Sequence, residues 1–142
     1  MRRLMVWEPT LGAPDKRTLI ETVAVYLAQH GVVPLDAREG LAEALAAREE
    51  IGDTMVAPNL AIPHATSPAV EEGAMVFVKL AEPIADWNPG HDAARFVFTV
   101  MSEEPGEEDG EAVRSFFTSL ADDDVLDAFV HGGRERIAER FL

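Results

Sequence analysis

The chain has 142 residues, no cysteine, 47% hydrophobic and 27% charged residues, and a formal net charge of −14. This composition suits one soluble domain, residues 1–142, with a core of its own, and it excludes both a disulfide scaffold and a thiolate metal site. The carboxylate excess argues against nucleic acid and anionic membrane surfaces as partners, since both are bound mainly through Lys and Arg, and leaves a basic protein as the partner its field would steer in.

The N-terminus is basic, but Glu8 and Pro9 interrupt the next apolar run before a signal-peptide core could form. No run approaches the roughly 20 apolar residues of a membrane span, so the expected location is the cytoplasm. Residues 4–7 read as a first strand and residues 10–14 as a loop. Asp15 is a suitable N-cap for a helix with Leu19, Ile20, Val23, Ala24 and Leu27 on one face and Gly31 as its stop. Thr18 with Glu21 offers a capping-box start three residues later. Asp36 with Glu39 starts a second helix, which runs to about Glu50.

In that second helix Leu41, Ala44 and Leu45 form an apolar stripe, and Arg48 continues it. A cation at the end of such a stripe is expected to point inward, with its stem buried and its guanidinium seeking an anion or carbonyl oxygens. Gly52 and Thr54 make the exit turn, and a short apolar run leads to Pro63. Proline fixes its own φ, lacks an N–H and pushes Ile62 toward extended geometry, so His64 is expected just past a strand end. A neutral imidazole is a nucleophile, and an adjacent arginine favours the neutral ring. Once a phosphoryl group is attached, the arginine can hold two of its oxygens as a fork.

Residues 66–73 read as a short helix or turn. Residues 74–80 and 95–101 are β-branched and aromatic runs whose near-continuous apolar content predicts strands covered on both faces. Between them residues 82–90 read as a turn-rich loop containing Trp87. Residues 102–111 form an acidic loop with Glu103, Glu104, Glu107, Glu108 and Asp109, read as a solvated segment or as a rim attracting a basic partner. Helices are expected over 112–121, from Asp122 or Asp123 with Val125, Leu126 and Phe129 inward, and over 134–142. Of the four histidines, His30 and His131 precede glycines at helix ends, where a cation suits unpaired carbonyls, and His91 lies in an exposed loop. A nucleotide-type Gly-rich loop, a His-Glu-x-x-His metal motif and a Gly-x-Ser-x-Gly nucleophile elbow are all absent from the sequence.

Taken together, Arg48-Glu49, Thr54 and the run Ala61-Ile62-Pro63-His64-Ala65 resemble the active-site signature of the fructose/mannitol-type enzyme IIA domains of the bacterial phosphoenolpyruvate-dependent sugar phosphotransferase system. The resemblance implies a three-layer α/β/α fold with a small mixed parallel/antiparallel sheet flanked by helices. It further implies that His64 accepts a phosphoryl group from phospho-HPr and passes it to a IIB component, which serves a membrane IIC channel. Arg48 and Thr54 would assist that transfer, and no cofactor or metal would be needed. The chain departs from the pattern in one respect: many members carry a second histidine at the start of the helix after the last strand, a position falling near Val113 here, with Arg114 as a candidate substitute. A regulatory, nitrogen-type domain that controls a partner according to its phosphorylation state is the alternative reading.

Overall fold

A computed structural model describes residues 1–11 and 15–142; the expected loop over residues 10–14 lies mostly outside the described residues. The chain begins with β1 (Arg2–Trp7), and α1 (Lys16–Gln29) follows. The Asp15 side chain accepts the Thr18 N–H at 2.7 Å, so the cap at Asp15 starts this helix and the later capping-box start does not. Leu19, Ile20, Val23, Ala24 and Leu27 are all buried, as the helical period requires.

A 3₁₀ turn over Leu35–Ala37 leads into α2 (Arg38–Ile51). Asp36 does not act as the expected cap. The Ala37 N–H is bonded to Pro34 O, and the tight turn itself conducts the chain into the helix, which has no side-chain cap.

Three short strands come next: β2 (Met55–Ala57), β3 (Asn59–Ala61) and β4 (His64–Thr66). Both β3 and β4 run parallel to β6 (His91–Met101), and from Leu60 onward they keep one register, Ala61 opposite Phe96 and His64 opposite Thr99. His64 is therefore not past a strand end. It opens the resumed half of a strand that Pro63, lacking an N–H, interrupts.

The expected loop over residues 82–90 is instead the arm of a hairpin, since β5 (Ala74–Asn88) continues almost to the turn at Pro89-Gly90 and returns as β6. β1 pairs β5 only through Lys79, so Pro83 falls where β5 is unpaired on that side and its missing N–H breaks no ladder bond. Residues 68–69 form a turn rather than a helix.

The sheet order is β1-β5-β6-β3-β2, with β4 also against β6, and it mixes parallel and antiparallel pairs. On one face α1 and α2 pack Leu19, Ile20, Leu41 and Leu45 against Val76, Val78, Phe96 and Phe98. The other face carries α3 (Glu107–Ser119), α4 (Asp123–His131) and α5 (Arg134–Phe141), whose Phe116, Phe129, Ile137 and Phe141 cover Leu60, Ile62, Met75, Phe77 and Val97. Phe129 lies edge-on to Phe116 and Phe141 with centroids at 5.4 and 5.9 Å, a geometry that adds to burial. The expected three-layer α/β/α architecture is thus the observed one.

The acidic segment is only partly a loop. Glu107, Glu108 and Asp109 occupy the first turn of α3, where carboxylates suit the unpaired N–H groups. Asp109 is buried and accepts the Gly73 N–H at 2.7 Å, so it is neither solvated nor part of a rim. Asp122 is the cap of α4 and accepts from the N–H groups of Asp124 and Val125. Arg95 is buried on the same face, and its guanidinium donates to the carbonyls of Phe129 and Gly132 at 3.1 and 2.8 Å, closing the C-terminus of α4.

Candidate functional site

α2 ends at Ile51 and the chain turns through Gly52 and Asp53, whose carboxylate accepts the Met55 N–H at 2.7 Å. This turn brings Thr54 alongside Ile62, and the Ile62 N–H donates to Thr54 O at 2.9 Å. Two residues on, His64 folds its ring back so that Nδ1 lies 2.9 Å from Ile62 O. A carbonyl oxygen can only accept, so Nδ1 carries the proton and Nε2 carries the lone pair. Among the described residues Nε2 has no hydrogen-bond partner.

His64 and Arg48 line one open cleft of about 370 Å³, together with Ala44, Ala47 and Ile51 of α2 and Thr99 and Met101 of β6. The structure brings these two sequence-selected residues to one cleft. Arg48 is only half-buried, however, and its one hydrogen bond among the described residues goes to Gly52 O at 3.4 Å, at the end of its own helix. A guanidinium has five N–H donors, so others remain available to an anion in the cleft that Arg48 lines.

Thr54 is not among the residues that line the cleft. It is buried, and its hydroxyl donates to Glu49 Oε1 at 2.7 Å rather than standing free at the cleft. Glu49 was not singled out for a role by sequence reasoning, although it forms the Arg-Glu pair with Arg48. Its side chain is 4% exposed, and its second oxygen lies 3.8 Å from Lys16 Nζ. Burial pushes its carboxyl above the ordinary range, against the opposing pull of the Thr54 hydroxyl and of Lys16, Arg48 and His64. Thr99 was also missed. It is buried directly beside His64 on β6, and its hydroxyl has no partner among the described residues.

Val113 is half-buried on α3, and no histidine replaces it there. Arg114 does not reach the cleft: it pairs with Glu111 at 3.0 Å on the exposed face of α3. His30 is held by Tyr26 O at 2.9 Å and stacks near the Tyr26 ring, a structural setting, and His91 is exposed at the hairpin turn.

A mixed sheet between two helical layers thus presents one imidazole in a cleft that an arginine also lines. The sequence matches the family described as phosphoenolpyruvate-dependent sugar phosphotransferase system, EIIA 2, over residues 7–141, and the chain belongs to that family. Solved structures share its fold. The nitrogen regulatory protein IIA-Ntr from Neisseria meningitidis superposes with a TM-score of 0.69 at 20% identity, covering 89% of this chain and 84% of that one. The mannitol IIA of Escherichia coli gives 0.62 at 20% identity over 94% of each chain. The Escherichia coli complex of mannitol IIA with phosphorylated mannitol IIB gives 0.65 at 18% identity, covering 94% of this chain and 92% of that one. Among the described residues no helix is long and apolar enough to cross a membrane.

Proposed function

We propose that the protein is a histidine phosphocarrier that takes a phosphoryl group from phospho-HPr on Nε2 of His64 and passes it to a IIB component for sugar uptake. The observation that carries this reading is the His64 ring itself. Its Nδ1–H is tied to Ile62 O, which leaves the lone pair on Nε2 of a ring that lines the cleft together with Arg48. In the first transfer the Nε2 lone pair attacks phosphorus in line, the P–N bond to the HPr histidine breaks, and that histidine takes back its electron pair. The proton on Nδ1 stays in place throughout. Arg48 stabilises charge on the equatorial oxygens, because phosphoryl transfer depends mainly on positioning and electrostatics. In the second transfer the new P–N bond breaks toward a nucleophile of IIB. Thr54 supports the ring through its carbonyl and the Ile62 N–H, rather than by contact with the phosphoryl group. The membership in a sugar phosphotransferase family and the likeness to a IIA solved with its IIB support the choice of partners. The domain works in the cytoplasm, where both partners reside.

Intact-mass spectrometry after incubation with phosphoenolpyruvate, enzyme I and HPr tests the assignment. Wild type gains one acid-labile phosphoryl group and His64→Ala gains none; equal gain by both would sink it.

The absence of a second histidine near Val113 favours one other reading, a regulatory domain that reports its phosphorylation state to a partner, as the fold likeness to a IIA-Ntr accommodates. Phosphorylated protein that keeps its label in the presence of cognate IIB proteins points that way.

A further inference from the structure

Glu49 is a carboxylate nearly sealed from water at the base of the site, and a charge in that position costs stability that an apolar residue of similar size would not. Packing alone does not account for it. Both of its oxygens are engaged: Oε1 accepts the Thr54 hydroxyl at 2.7 Å, and Oε2 faces Lys16 Nζ at 3.8 Å. The groups that bear on it are therefore Lys16 from the start of α1, Arg48 from α2, Thr54 from the exit turn and His64 from β4.

From Glu49 a continuous set of bonds runs to the nucleophile. The Thr54 hydroxyl is held by Glu49, the Thr54 carbonyl holds the Ile62 N–H at 2.9 Å, and the Ile62 carbonyl holds the His64 Nδ1–H at 2.9 Å. The other restraints on the exit turn, Arg48 to Gly52 O, Asp53 to the Met55 N–H and the pairing of Met55 with Ala61, do not engage the Thr54 side chain. Without the Glu49 bond, the Thr54 hydroxyl would be a buried donor free to rotate, and the carbonyl that locates Ile62 would lose its anchor.

Building on the phosphocarrier reading of His64, we infer that Glu49 is a positioning residue that fixes the Nδ1–H tautomer and the aim of His64 through Thr54 and Ile62. It touches neither phosphorus nor the imidazole. Its side chain acts by charge-assisted acceptance of one hydroxyl proton, a task that the amide oxygen of glutamine can also perform.

The test measures wild type, Glu49→Gln, Glu49→Ala and Thr54→Val. Two readouts are followed: the rate of phosphoryl gain from phospho-HPr, and the ¹⁵N spectrum of the His64 ring, which distinguishes Nδ1–H from Nε2–H. Expected for Glu49→Ala and Thr54→Val are a loss of rate of about tenfold or more and a spectrum of mixed tautomers, as mispositioning of a reacting group commonly produces. Glu49→Gln returns the rate to within about threefold of wild type and restores the single tautomer. Wild-type rate and spectrum in Glu49→Ala would overturn the inference, as would a Glu49→Gln variant as impaired as Glu49→Ala. Should Glu49→Ala fail to fold, Thr54→Val cuts the same bond from its other end and decides. The ring spectrum needs no phosphoryl donor, so a wild-type protein that takes no phosphoryl group defeats the carrier reading while the positioning of His64 is still judged.

Discussion

His64 and Thr99 are direct partners across the parallel β4–β6 pair, and the Thr99 hydroxyl, 2% exposed at the residue level, finds no acceptor or donor among the described residues. Paired residues on adjacent parallel strands place their side chains on the same face, so the orphan hydroxyl stands next to the imidazole. A buried polar group without a partner costs stability. Thr99→Val keeps the shape and deletes the hydroxyl, and it is expected to raise the unfolding free energy by about 1 kcal/mol. Urea melts of the two proteins measure this; a destabilised variant would mean that the hydroxyl has a partner in solution.

Glu49 gives stability a pH dependence of known sign. Burial holds its carboxyl above the ordinary value near 4.5 in the folded protein, so between the two values the native state binds more protons than the unfolded chain. Its contribution to unfolding free energy therefore falls as pH rises through that window. Glu49→Gln removes the titration, and its stability relative to wild type should increase from about pH 4 toward neutral pH. A difference constant with pH, from denaturant midpoints at several pH values, would contradict this.

Arg95 closes α4 through two main-chain carbonyls, of Phe129 and Gly132, and stands 5.8 Å from the centroid of the Trp7 ring. Arg95→Met preserves the stem and removes the donor, leaving both oxygens buried beneath the layer. The expected loss is about 2–3 kcal/mol. Because the residue lies away from the cleft, His64 should accept a phosphoryl group at the wild-type rate under native conditions, measured by mass as above.

Gly132 and Gly133 are neighbours with opposite tolerance. A Cβ on Gly132 would fall 2.3 Å from Ala128 O, a main-chain atom within α4, whereas one on Gly133 meets nothing within 4 Å. Gly132→Ala should cost at least about 2 kcal/mol, since backbone must move. Gly133→Ala should change stability by no more than about 0.5 kcal/mol, the stiffer unfolded chain offsetting a poorer N-cap for α5. Thermal melts of the pair decide; equal effects would show that the α4–α5 corner is not as tight as described.

The elements legible in the sequence were those whose signal is local. Asp15 announces α1 because a carboxylate there meets an N–H three residues on, and the runs around Phe77 and Phe98 announce strands because successive residues meet covered faces on both sides of the sheet. The motif from Arg48 to His64 was legible because its residues lie in one unbroken stretch of the sequence. What escaped depends on distant neighbours. Pro83 fits a strand because β1 stops short of it, and Asp109 is buried where it holds the Gly73 N–H, 36 positions away in the chain. The burial of Glu49 depends on Lys16, 33 positions earlier in the chain, and Thr99 becomes part of the site only through its pairing with β4.

The cleft that holds His64 is open and carries a single imidazole, which sits on the first residue of a short edge segment. If His64 carries a phosphoryl group as proposed, donor and acceptor would use the same doorway in turn, each leaving before the other arrives. Two consequences follow for the kinetics. On the phosphocarrier reading proposed above, the protein would shuttle by a ping-pong scheme rather than through a three-body complex, and a surplus of spent donor would slow delivery by occupying the place that the acceptor needs.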